Sequence, residues 1–130
     1  IGGSGNISGA ALSILQYLKH CNINVLYVRP DLESMSITRE KQEWVVFNVL
    51  QEYARSGVFE RVYLVDNSKV EESLGNVPVI GYYDKLNSVI ASTLHMINVY
   101  NHIDSVVDTF SKPFAGRRIS TIGFYDSKNN

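Results

Sequence analysis

The stretch with the clearest chemical potential is "IGGSGNISG", where four glycines fall within the first ten residues. Glycines at positions 2, 3 and 5 let backbone N–H groups approach an anion closely, and Ser4 adds a hydroxyl donor. A helix starting just downstream contributes the partial positive charge of its N-terminus. Those parts suit a phosphate. The spacing is not that of a P-loop, which needs a lysine, and the GxGxxG pattern fails because position 8 is serine. Other reactive constellations are absent. His20, His95 and His102 share no metal-ligand spacing, and no Ser-His-Asp order or paired carboxylate site stands out. Cys21 beside His20 reads as a small buried side chain rather than a nucleophile.

The elements that must position this loop can be read from periodicity. "SGAALSILQYLKHCN" sets Ala11, Ile14, Leu15 and Leu18 on one helical stripe, with Asn6 or Ser8 available as N-cap. "NVLYVRP" and "RVYLVD" are short continuous apolar runs of the kind buried on both faces of a parallel sheet. Between them, "TREKQEWVVFNVLQEYARSG" repeats Trp44, Phe47, Leu50 and Ala54 at helical spacing, with Thr38 as cap and Gly57 as stop. Trp44 is expected in the core. A short polar helix over "SKVEESLG" and a third strand over "VPVIG" follow. A long helix then runs from about 82 to 111, ended by Pro113, before a last strand in "RRISTIGFY". This alternation predicts a three-layer α/β fold, a mostly parallel sheet flanked by helices. It also reads as incomplete at its N-terminal side, since a glycine loop of this class normally follows a strand.

Composition narrows the class. The chain has 130 residues, 45% hydrophobic, with 12 basic and 13 acidic residues and a net charge of −1. That balance does not favour broad binding to nucleic acid, which needs clustered Lys and Arg. No apolar run approaches the roughly 20 residues of a membrane span. A single cysteine allows no internal disulfide and points to a reducing, cytoplasmic setting.

Several motifs together resemble the tubulin/FtsZ family. "IGGSGNISG" is similar to its GGGTGSGMG and GGGTGTG phosphate loops, with Gly2, Gly3, Gly5 and Gly9 on glycines and Ser4 on the threonine. Asn67 ends "VYLVDN", and sixteen residues later "YDKLN" resembles the family's YGDLN. The resemblance implies that Asn67 and Asn87 read the guanine edge and Tyr83 stacks on the base. Phosphate contacts fall to Gly2, Gly3, Ser4, Gly5 and Asn6, and ribose or phosphate contacts to Asp31, Glu33 and Arg39 of the "RPDLES" region. Those residue types suit a purine on their own terms. An aromatic face stacks, and an amide offers donor and acceptor together.

The resemblance further implies GTP or GDP as ligand, magnesium carried with the nucleotide, and head-to-tail assembly into filaments. On this reading residues 1–111 are the second half of a GTP-binding domain including the long central helix. Residues 112–130 are then a linker and the first strand of a following domain. The resemblance does not extend to the hydrolytic loop. The stretch "SKPFAGRRIST", where the family carries a catalytic acid, holds no carboxylate, and Asp104 and Asp108 precede it. No catalytic residue is nominated. Lys112, Arg117 and Arg118 are candidates for a neighbour's phosphate. The alternatives are a non-catalytic scaffold of the same fold and a generic α/β nucleotide binder.

Overall fold

The computed structural model describes residues 1–3, 8–75, 78–102 and 119–122. The order is α1 (Ser8–Tyr17), β1 (Asn24–Arg29), α2 (Ile37–Arg55), β2 (Arg61–Asp66), α3 (Asn67–Leu74), α4 (Tyr82–His102) and β3 (Ile119–Thr121). Among the described residues the strands form one parallel sheet in the order β1-β2-β3. Asn24 pairs with Arg61 and Arg29 with Asp66, so β1 and β2 end level with one another. Parallel neighbours need a crossover, and α2 supplies it. On the free edge of β1, Ile1–Gly3 runs parallel as a short stub. Ile1 N bonds Leu26 O at 2.8 Å, Val28 N bonds Ile1 O at 2.9 Å, and Gly3 N bonds Val28 O at 2.8 Å.

Side chains alternate across the strands, and each face has its own core. Val25, Tyr27 and Val62 pack with Leu50 and Ala54 of α2, Phe59, and the partly buried Leu12 and Leu15 of α1. Val65, with Leu26 and Val28, packs on the other face against Val70 of α3 and Leu86 and Ile90 of α4. The continuous apolar runs of β1 and β2 follow from this double burial. Each large side chain so buried contributes about 1.5–3 kcal/mol. Tyr53 and Phe59 add an edge-to-face contact at 5.8 Å between ring centroids. The fold is thus α/β with an open parallel sheet between helices.

Several local expectations change. Trp44 is 67% exposed, whereas Glu43, one position earlier, is 3% exposed. Along a helix one residue is a 100° rotation, so Glu43, Phe47, Leu50 and Ala54 make the inward stripe instead. The cap of α2 is Ser36, whose Oγ accepts from Arg39 N at 3.5 Å, not Thr38. Ile14 and Leu18 are exposed, because Leu12 and Leu15 carry the contact face of α1. Cys21 is exposed too, in the turn after α1. Residues 78–81 form no strand, and Val79 and Ile80 are 93% and 94% exposed. Both edges of β2 are occupied, by β1 and β3, and Gly81 at φ 82° turns the chain into α4.

The last strand is also placed differently. Instead of opening a following domain, β3 joins this sheet, pairing Val62 with Ile119 and Leu64 with Thr121. The rest of the expected central helix, residues 103–111, lies outside the described residues, as do Asp104, Asp108, Lys112, Arg117 and Arg118.

Candidate functional site

A cleft of ≈ 690 Å³ opens where β1 and β2 end, bounded by the loop after β1 and by α3. That is a ligand-sized volume, at the carboxyl ends of parallel strands where open α/β sheets bind ligands. Local sequence explains its walls. Pro30 cannot continue the ladder and stops β1. Asp31 Oδ1 accepts from Glu33 N at 3.1 Å, and Ser34 Oγ donates to Asp31 O at 3.1 Å, so the loop folds on itself. Asp66 caps α3 by accepting from Ser68 N at 3.0 Å, and Gly75 at φ 66° ends that helix.

The lining is unevenly charged. Among the described residues, five carboxylates, Asp31, Glu33, Asp66, Glu71 and Glu72, face a single guanidinium, that of Arg29. Among the described residues no three His, Cys, Asp or Glu side chains converge as a metal cage. Arg29 is held from behind. Its Nε donates to Glu43 Oε1 at 3.2 Å, and its guanidinium lies 4.6 Å from the centroid of Phe47. Tyr27 Oη donates to the same carboxylate oxygen at 3.0 Å. Burial first, and the Glu43 carboxylate second, push the Tyr27 phenol far above its usual range, so it stays a donor.

The glycine segment meets this network directly. A Cβ on Gly3 would lie 2.6 Å from Pro30 Cδ and 2.8 Å from Tyr27 Oη, so only glycine fits there. Its N–H is engaged by Val28 O, so Gly3 contributes close approach rather than a free donor. Gly2 sits opposite Val28, and among the described residues nothing lies within 4 Å of where a Cβ would stand. Ser4, Gly5 and Asn6 lie outside the described residues. Gly3→Ala is therefore expected to cost about 1–3 kcal/mol through overpacking, whereas Gly2→Ala stays within about 0.5 kcal/mol. Denaturant midpoints of the two variants check this, and equal midpoints would remove the packing role of Gly3.

The other sequence candidates divide. Asp31 and Glu33 line the cleft. Asn67, the first residue of α3, lies between Asp66 and Ser68, which line the cleft, but is not itself part of that lining. The Asn67 Oδ1 is buried and, among the described residues, has no hydrogen-bond partner. Arg39 is exposed in the first turn of α2 and does not line the cleft. Tyr83 and Asn87 share a face of α4, four residues apart, and both are exposed. Neither lines the cleft. Tyr83 meets Tyr82 edge-on at 5.2 Å. Tyr82 has its hydroxyl pushed up by partial burial, then by Glu71 and, more weakly, by Tyr83 and Asp31. The start of α4 therefore stands beside two of the cleft's carboxylates.

Sequence reasoning missed Arg29, Glu43, Tyr27 and Tyr82. Arg29 carried a signal, being the last strand residue before a proline. Glu43 carried none, because a charged residue in an amphipathic helix is read as solvent-facing. No helix among the described residues is long and apolar enough to cross a membrane. No family model matches this chain, and no significant match exists among curated proteins or solved structures.

Proposed function

We propose that the chain is the nucleotide-binding part of a tubulin/FtsZ-like protein that binds GTP or GDP and, in its full-length form, assembles head-to-tail into filaments. The observation that carries this reading is the Asn67 amide. Its buried Oδ1 lacks a donor among the described residues, and an unmet buried acceptor costs about 1–3 kcal/mol. Guanine N1–H and N2–H₂ are donors of the kind it lacks. Support also comes from the cleft at the strand ends and from the order of glycine loop, Asn67, Tyr83 and Asn87 along the chain.

In this reading Tyr83 stacks on the base, Asn87 and Asn67 read its edge, and Asp31 or Glu33 accept from ribose hydroxyls. The carboxylate-rich lining disfavours a bare polyphosphate, so magnesium arrives with the nucleotide. Such an ion is held mainly by phosphate oxygens and water and needs no protein cage. Heterologous contacts that do not close give open filaments.

Equilibrium titration of the full-length protein with GTP and ATP in magnesium, beside sedimentation and phosphate release, tests the proposal. Guanine-selective binding with nucleotide-dependent pelleting is the expected result. Pelleting without nucleotide binding identifies a scaffold of this fold. Binding of ATP as tightly as GTP identifies a generic nucleotide binder. Slow or absent phosphate release is expected in either case, since the loop after the central helix has no carboxylate.

A further inference from the structure

We infer that Arg29 receives the anionic, phosphate end of the nucleotide in this cleft, and that Glu43 is its positioning residue. This deepens the nucleotide reading above and rests on it. The sequence pointed to Arg39 for a phosphate, but that side chain is exposed in the first turn of α2. Arg29 instead ends β1 and lines the cleft. Among the described residues it is the one cationic side chain in that lining. The carboxylates of Asp31, Glu33, Asp66, Glu71 and Glu72 make the rest of the described wall hostile to an anion, which leaves the guanidinium as the group there that suits phosphate.

The guanidinium is also organised in advance. Its side chain is only 25% exposed, fixed by the Glu43 carboxylate at Nε and by the Phe47 ring beneath it. Among the described residues neither terminal nitrogen has a protein hydrogen-bond partner. Their N–H groups form the planar fork that matches two phosphate oxygens. Little side-chain entropy is left to lose on binding, so the contact is worth more than that of a freely rotating arginine. Glu43 itself is buried behind Arg29, bonded to Tyr27, and acts on a ligand only through the guanidinium it holds.

The test compares GDP with guanosine, which shares the base and ribose and lacks phosphate, on the full-length protein. Arg29→Gln is expected to weaken GDP about 10- to 100-fold, the range of one charge-assisted hydrogen-bonded contact. Guanosine affinity should change less than about twofold, and the salt dependence of GDP binding should become shallower. Arg29→Lys, which keeps the charge, should recover part of the loss and serves if the glutamine variant fails to fold. Glu43→Gln should weaken GDP several-fold in the wild-type background and not in the Arg29→Gln background.

Equal weakening of GDP and guanosine would mean that Arg29 only supports the fold, and would overturn the inference. So would unchanged GDP affinity in Arg29→Gln, which leaves the nucleotide reading standing. Wild-type protein that binds neither GDP nor guanosine overturns both.

Discussion

Glu43→Ala is expected to lower the stability of the fold by about 3–5 kcal/mol, the cost of breaking a buried charge pair from one side. The carboxylate is 3% exposed and accepts from two groups, Tyr27 Oη at 3.0 Å and Arg29 Nε at 3.2 Å. Truncation leaves a fully buried phenol without an acceptor and a mostly buried guanidinium without its counter-charge. It also removes the methylene that packs under Gly3. Chemical denaturation of wild type and variant measures the loss. The double variant Glu43→Leu, Tyr27→Phe should recover part of it, because the Tyr27 hydroxyl is removed together with its acceptor and only Arg29 Nε stays unmet. A loss below about 1 kcal/mol for Glu43→Ala would show that water reaches the site and replaces the carboxylate.

Asn87→Asp in the full-length protein should cut the preference for GTP over ATP by about 100-fold, as expected where a site built to hydrogen-bond one group meets its mismatch. The amide at this position offers a donor as well as an acceptor. A carboxylate offers acceptors only, so it keeps a partner for guanine N1–H and N2–H₂ but loses the donor to O6, while it suits the N6 amino group of adenine. Asn87 is exposed on α4, so the substitution carries no packing penalty of its own. Competition between the two nucleotides measures the change. Unchanged selectivity would remove Asn87 from base reading, and Asn67, with its unmet Oδ1, would then be the remaining candidate.

Much of the fold was legible along the chain. The runs at 24–29 and 61–66 are β1 and β2, and the helical periodicity around Leu50 and Leu86 marks α2 and α4. Such signals are local, since apolar spacing reports how a segment must bury itself. The signal failed where one segment admits two answers. Trp44 and Glu43 fit the same helical repeat about equally well, and only the Tyr27 and Arg29 donors across the interface select Glu43 for the inside. "VPVIG" has a strand's composition, yet the edges of β2 are occupied. Ile119–Thr121 has too little sequence signal to say which sheet it joins.

The candidate site shows the same division. Its glycines, Asn67 and the acids of the loop after β1 were visible by residue type and order. Arg29 as the cleft's cation and Glu43 as the group that holds it were not. Their roles depend on contacts between residues 14 and 16 positions apart along the chain. Apolar spacing along the chain was enough to locate β1, β2, α2 and α4 and to show which residue types stand near the strand ends. Tertiary structure alone decided which charges meet, because register, helix rotation and strand order arise from packing between segments.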